Sequence, residues 1–356
     1  MGTLQESIAA KRQNIKVDRM DMSFGEIINM YKDHEIIISP EYQRAFRWDQ
    51  QHQTDFIESI LLGIPFPSIF VAANEDGTWE LIDGLQRVST VLSFFGELNH
   101  PTRNNLILCQ GSLIKDLEGL TINTIPLDLK LSIKRTPCRV EIIQRESQFD
   151  MRYELFKRLN TGGEGLEPQE IRNCVFRGLQ NHIIINNMIS NLSCDENLRS
   201  SVLISTSMEE KMYFEELVLR LYSLHYFINE YTEQSVQDFF DKVMRQESEK
   251  PHNEYIEEYS EKFPIVFEFI NNLPMDDSPF KLSRRNFSTS MFDAIGLSLM
   301  SLSNDVISSM DKTDFVRKLA LLKEDTDFKA YSGSASSSVT NIRGKVSIAK
   351  KRLLNG

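Results

Sequence analysis

The sequence predicts an α+β protein: a small mixed-sheet N-terminal domain, residues 1–147, followed by a mainly helical C-terminal domain, residues 148–356, with a basic C-terminal helix. Three observations carry this reading. Short β-branched runs bounded by turn residues are confined to the chain before Ser147. Beyond it apolar residues recur at helical spacing only. The chain of 356 residues is also long enough to bury two cores.

The elements follow in order. Ser23-Phe24-Gly25-Glu26 has capping-box spacing and predicts a short helix running to about Lys32. EIIIS, from Glu35, reads as a buried strand, and the polar-aromatic stretch PEYQRAFRW follows it. Asp49 then predicts an N-cap for QQHQTDFIESILLG, in which Phe56, Ile57, Ile60 and Leu61 share a helix face and Gly63 stops the helix. IPFPS reads as a turn. SIFVAA and TWELI are two strands about Asn74–Gly77, a hairpin signal. A helix runs from Gln86 through Phe95, and PCRVEIIQ, opened by Pro137, is the last strand. Helical patterns then occupy Phe149–Leu159, Pro168–Phe176, Glu209–Asn229, Val236–Glu247, Asn253–Asn271, Ser288–Ser303 and Lys312–Lys323.

Charge limits the partners. Forty Lys and Arg against fifty-one Asp and Glu leave a formal charge of −11, so contact with DNA needs a local basic patch. The closing NIRGKVSIAKKRLLNG supplies one, with Arg343, Lys345, Lys350, Lys351 and Arg352 and no acid; the alternative is a solvated helix end where cations suit the dipole. No apolar run reaches membrane-spanning length, so no membrane partner is expected. The polar N-terminus and four dispersed cysteines without a CxxC pair fit the reducing cytoplasm and argue against a zinc site or a disulfide framework.

Three clusters can carry chemistry. In ELIDGLQR a strand ends at Asp83-Gly84 and a helix begins at Gln86, which directs unpaired N–H groups and the positive end of the helix dipole toward an anion. Arg87 in the first turn is out of place beside that dipole unless an anion compensates it. Asp83 can hold Mg²⁺, orient water or cap the helix. The bland alternative is a capped turn with Arg87 paired to a carboxylate. In PEYQRAFRW, Gln43, Arg44 and Arg47 alternate with Tyr42, Phe46 and Trp48, a mixture that suits a base and its phosphates or, equally, a loop covering a core edge. In LFKRLNTGGEGLEPQEIRN the turn Asn160-Thr161-Gly162-Gly163 is an anion nest or an ordinary corner between helices. Walker A and HExxH motifs are missing, and the histidines never stand at metal-ligand spacing. Glu209-Glu210-Lys211 has a nuclease-like ExK spacing but begins a helix.

The ordered set PEYQRxFxW, FIESILLGIPFPSIFV, WELIDGxQR and LFxRLNTGGxxLxxQEIRN resembles the N-terminal domain family of GmrSD-type modification-dependent restriction enzymes, related to the ParB/sulfiredoxin-like nucleotide-binding fold. The resemblance runs from about Phe24 to Gly178 and more loosely to SGSASSSVTNIRGKV. It implies a component of prokaryotic anti-phage defence that binds a nucleoside triphosphate with Mg²⁺, and such domains often hydrolyse it. Carried over by motif, the nucleotide site is Gln43, Arg44, Asp83, Gly84, Gln86 and Arg87, closed by Asn160, Thr161 and Gly162. Asp83, Gln86 and Arg87 form the expected catalytic set, with Asp83 on the metal. Two departures stand out. The family's D-G-Q-Q-R has Leu85 in its first Gln position here, a change expected to weaken hydrolysis while phosphate binding survives, and an HNH nuclease domain is not expected within these residues. Cutting is therefore expected from a separately encoded effector or through self-association, with DNA as the target. A stand-alone nuclease using the same pocket, and a non-catalytic module sensing a modified base, are the rival readings.

Overall fold

The computed structural model describes residues 4–6, 8, 16–38, 46–74, 76–100, 102–144, 149–159, 166–176, 179–232, 235–282, 287–333 and 335–354. The chain divides into two compact units, Met1–Leu166 and Glu167–Gly356. The division falls later than residue 147 because the helix Phe149–Leu159 contacts the sheet and goes with it.

The first unit runs β1 (Val17–Ser23), α1 (Phe24–Lys32), β2 (Ile36–Ile37), α2 (Gln50–Leu62), β3 (Ile69–Ala73), β4 (Trp79–Asp83), α3 (Leu85–Phe95), α4 (Leu127–Arg135), β5 (Pro137–Ile143) and α5 (Phe149–Leu159). The five strands form one sheet in the order β1-β5-β3-β4-β2. Pairing is antiparallel for β1 with β5 and β3 with β4, and parallel for β3 with β5 and β2 with β4, so the sheet is mixed as expected. This order brings the end of β4 and the starts of β3 and β5 to one edge of the sheet.

Local chemistry accounts for the helix ends. The Ser23 hydroxyl accepts the Glu26 N–H and opens α1; the Asp49 carboxylate accepts the His52 N–H and opens α2. Gly63, at φ +68°, closes α2. Burial supplies the rest. Val71, Leu81, Val140 and Ile142 of the sheet, Ile57 and Ile60 of α2, and Val88, Val91 and Leu92 of α3 are all core residues. Phe24, Phe56 and Phe66 close one end as a ring cluster with centroids 5.4–6.3 Å apart.

β1 has no counterpart among the predicted strands. Its residues Asp18 to Asp21 are exposed, and its partners across the ladder are charged: Arg19 Nε lies 2.8 Å from Glu141, and Arg139 Nε lies 3.0 Å from Asp21. An edge strand held by ion pairs offers no apolar run to read.

Among its described residues the second unit has helices and connecting loops but no strand: α6 (Pro168–Val175), α7 (His182–Ser193), α8 (Glu196–Ser201), α9 (Thr206–Glu210), α10 (Tyr213–Tyr226), α11 (Val236–Glu249), α12 (Asn253–Asn271), α13 (Thr289–Met300), α14 (Asn304–Ser309), α15 (Lys312–Glu324), α16 (Thr326–Tyr331) and α17 (Val339–Leu353). The single helix expected over Glu209–Asn229 is two, because Met212 adopts φ +58° between α9 and α10. Its side chain is buried, which fixes a backbone turn that L-residues rarely take.

Charge is buried in this core. The Asp293 carboxylate of α13 receives Arg220 Nε at 2.5 Å and Arg220 Nη2 at 2.7 Å from α10, and Lys345 Nζ at 2.7 Å from α17. Burial raises the Asp293 carboxyl, but the combined field of Arg220 and Lys345 overrides it and holds the group below its usual value. Replacing Asp293 with Asn leaves two buried cations without their counter-ion, so Asp293→Asn is expected to cost about 3–5 kcal/mol in urea unfolding at neutral pH. A folded pKa below the unfolded one gives stability that is present above the unfolded value and lost as pH falls. The gap between wild type and variant should accordingly narrow below about pH 4. Equal stability at pH 7 would contradict the account.

Candidate functional site

The site is built from the turn between β4 and α3. Asp83 stands opposite Phe70 on β3, and the register shifts between Phe70 and Val71, an irregularity that re-aims the strand end. Gly84 follows at φ +98°, in the left-handed region. A Cβ there would lie 2.5 Å from Ile69 Cγ2, so both conformation and space demand glycine. Helix α3 starts at once with Leu85, and Gly84 supplies no side-chain cap. The first N–H groups of an eleven-residue helix therefore face the turn, where the helix dipole favours negative charge.

Arg87 is bound inside the protein. Its Nη2 donates to Asp83 Oδ2 at 2.9 Å, and Nη1 donates to the carbonyls of Ser68, at 3.2 Å, and Pro67. These contacts lace the Pro65–Ser68 segment to the end of β4 and compensate the cation at the helix N-terminus. The side chain is only 12 % exposed. The ion pair with a carboxylate, left open by the sequence, is the arrangement found. Arg87 therefore sets the shape of the turn as well as its charge.

Gln86 joins two stretches of chain that are distant in sequence. Its side-chain oxygen accepts the N–H of Arg47 at 3.0 Å and of Trp48 at 3.1 Å. The Trp48 carbonyl in turn accepts Gln53 Nε2 at 2.9 Å and Arg103 Nη1 at 3.3 Å, while the Arg103 guanidinium sits 5.5 Å over the Phe46 ring. The end of PEYQRAFRW is thus pinned against the turn. Gln43 and Arg44 lie outside the described residues, as do Asn160, Thr161 and Gly162.

Asp83 has a side chain 28 % exposed and spends one oxygen on Arg87. The other oxygen makes no hydrogen bond within the described residues, which suits Mg²⁺ held by one carboxylate together with ligand phosphates. No group of three His, Cys, Asp or Glu side chains gathers among the described residues, so a self-sufficient protein cage for a metal is not formed there. Leu85 is buried at 4 % exposure and belongs to the core. A Gln in its place would enter the apolar interior instead of reaching a phosphate. Cys138 nearby is inert: burial pushes its thiol up to about 11 despite the opposing charge of Arg87.

The C-terminal basic stretch lies on α17 in the second unit, and its residues behave differently from one another. Lys345 is fully buried on Asp293 and does not belong to an exposed phosphate-tracking edge; its charge serves the core. Arg343 Nη2 donates to the Ile228 carbonyl at 3.1 Å, and Arg352 pairs with Asp325 at 2.8 Å, both remaining exposed. Lys350 is half-buried and Lys351 exposed.

Residues 24–177 match the family model described as GmrSD restriction endonuclease, N-terminal domain. This stretch resembles that domain. The match relates the chain to restriction-type defence proteins and covers somewhat less than half of it. No curated protein and no solved structure gives a significant match. The GmrSD-like stretch includes the whole β4–α3 turn and continues past the sheet into α6. There QEIRN is structural: Arg172 is buried, donates to Asp241 at 2.7 Å and to Gln169 at 3.1 Å, and Gln169 donates to Asn173 at 2.9 Å. No helix among the described residues is long and apolar enough to cross a membrane.

Sequence reasoning passed over Pro67, Ser68, Gln53 and Arg103, which hold the site's partners in place. Pro65 and Pro67 lack N–H groups, and a doubled proline beside a strand start was the available signal for carbonyls in need of an outside donor. Gly84→Ala would combine a left-handed backbone with a clash against Ile69. A loss of at least about 1–3 kcal/mol in thermal or urea unfolding is expected, and an unchanged midpoint would contradict the geometry.

Proposed function

We propose that the N-terminal unit binds a nucleoside triphosphate with Mg²⁺ at the β4–α3 turn and hydrolyses it, as a component of a cytoplasmic prokaryotic restriction-type defence system. The observation that carries this reading is the Gln86 side chain holding the N–H groups of both Arg47 and Trp48. It holds the end of the basic-aromatic stretch, Arg47 and Trp48, beside a helix N-terminus that favours anions, which supports a single site drawing on two motifs of the GmrSD-like stretch. The N–H groups at the start of α3 would receive a phosphate. Asp83 would share Mg²⁺ with the phosphates through its remaining oxygen. Arg87 would act through Asp83 and the Pro67–Ser68 carbonyls, keeping the turn charged and closed. Gln43, Arg44 and the Asn160-Thr161-Gly162 turn are proposed to complete the site.

The chain's charge of −11 makes tight DNA binding by the isolated protein unfavourable. Nucleotide state would therefore govern association with DNA through a second copy or a separately encoded effector. Arg343, Lys351 and Arg352, which are exposed, would supply the phosphate contacts.

Thermal melting with Mg²⁺ and each nucleoside triphosphate tests the proposal. A ligand present at a hundred times its Kd stabilises the fold by about 2.7 kcal/mol, a clear shift. Asp83→Asn should reduce Mg²⁺-dependent turnover by about ten- to a hundred-fold, the loss expected for one charge-assisted contact worth about 1.5–3 kcal/mol. Absence of any nucleotide-induced shift or turnover would overturn the reading. DNA cleavage by the purified chain, abolished in the same variant, would transfer the site to a nuclease.

A further inference from the structure

A cleft of about 350 Å³ opens beside the pinned segment, lined by Trp48, Gln50, Gln53, Ser93, Arg103 and Asn105 among others. Its volume lies within the range of small-molecule sites. An aromatic ring, a guanidinium, side-chain amides and the Asp49 carboxylate line it, a set suited to a flat ligand with a hydrogen-bonding edge. The Trp48 ring is braced by His52, near-parallel at 6.4 Å, and by the edge of Phe56 at 5.7 Å, so it presents an ordered surface. Arg103 is fixed by the Phe46 ring and the Trp48 carbonyl, leaving its planar guanidinium pre-oriented.

The amides are arranged with acceptors to spare. Gln53 and Gln50 spend their nitrogens on the carbonyls of Trp48 and Ile107, at 2.9 and 2.7 Å, and their oxygens have no partner among the described residues. Asn104 is used up internally: its oxygen accepts the Leu98 and Asn105 N–H groups, and its nitrogen donates to the Gly96 carbonyl. Asn105 is held at φ +60°, a left-handed conformation uncommon for a residue with a side chain, and its side-chain amide has no hydrogen-bond partner among the described residues.

The cleft is coupled to the turn. Gln86 fixes the Arg47–Trp48 backbone on one side, and Ser93, seven residues along α3 from Gln86, lines the cleft. Seven residues of helix span about 10 Å, the scale of the distance between a base and its terminal phosphates. A separate cavity of about 400 Å³ is lined by Pro65, Phe66, Ser68 and Pro137 with Asp21 and Arg139, which pair at 3.0 Å, and it lacks side-chain amides.

We propose that the cleft between Trp48 and Asn105 is the base-recognition subsite, taking the planar nitrogen heterocycle of the nucleotide against Trp48 and Arg103 and reading its edge with Asn105, Gln50 and Gln53. The proposal rests on the nucleotide reading of the β4–α3 turn and adds where selectivity among bases arises. Stacking on an aromatic surface tolerates every base, so the choice is made by the amides.

Trp48 and Trp79 are the chain's two tryptophans, so Trp79→Phe leaves Trp48 as a single reporter inside the cleft. That protein is titrated with adenosine, guanosine, cytidine, uridine, their triphosphates with Mg²⁺, and inorganic tripolyphosphate. The expected result is that one nucleoside and its triphosphate change Trp48 emission while tripolyphosphate does not. Asn105→Gly, which retains the left-handed backbone, and Arg103→Ala should each weaken nucleoside binding by about tenfold or more and level the preference among triphosphates. Calorimetric affinity for tripolyphosphate should be unchanged. If triphosphates bind by calorimetry, no nucleoside perturbs Trp48 and Asn105→Gly keeps the base preference, the subsite is overturned while the phosphate turn stands. If nucleosides bind in the cleft but triphosphates bind no tighter, the cleft stands and the triphosphate reading falls.

Discussion

The left-handed backbone at Gly84 is the constraint on which the first unit's site depends. It lets β4 end and α3 begin without an intervening loop, against an Ile69 side chain that leaves no room for a Cβ. Everything else follows from the direction the chain then takes. Leu85 falls into the core, Gln86 faces the Arg47–Trp48 backbone, and Arg87, one turn from Asp83, reaches that carboxylate and the Pro67–Ser68 carbonyls. A looser turn would rotate these three side chains together, and the pinned segment, the laced loop and the helix N-terminus would no longer coincide. Preorganisation of this kind removes ordering costs that a ligand would otherwise meet.

The second unit depends on buried charge. Arg172 with Asp241 near α6, and Arg220 and Lys345 around Asp293, place ion pairs where apolar residues would serve stability as well or better. Both Arg172 and Arg220 lie within 5.7 Å of the Phe240 ring centroid, so the two pairs meet at one aromatic side chain. Each pair is direction-specific and ties a particular helix to a particular partner: α6 to α11, and α10 to α13 and α17. The QEIRN segment, which reads as part of a functional motif, is in physical terms the anchor of α6.

Elements with strong local signals were legible in the sequence. The Asp49 cap and Gly63 stop of α2, the β3–β4 hairpin, the strand from Pro137, and the helices Phe149–Leu159 and Asn253–Asn271 all stand where spacing and capping placed them. What was missed lacked such signals. β1 is an exposed edge strand held by cross-strand ion pairs; α7 opens without a side-chain cap, and Met212 breaks a continuous helical pattern with a conformation that only tertiary packing supports. The Asp83–Gly84–Gln86–Arg87 turn was readable because glycine and helix polarity are local properties. The partners of Arg87 and Gln86 were not, since a long side chain's choice between a ligand and a carbonyl twenty residues away is decided by the fold. Lys345 shows the same limit: its sequence neighbourhood is basic and solvated, and its surroundings in space are Asp293 and the core.

The β4–α3 turn and the Arg47–Trp48 segment are proposed to form a single ligand site. Amide hydrogen exchange measured with and without a Mg²⁺–nucleoside triphosphate addresses it most directly. The account predicts that the N–H groups of residues 46–48 and of residues 84–87 gain protection together, with the same dependence on ligand concentration. Protection of one segment without the other, or of neither, would contradict it.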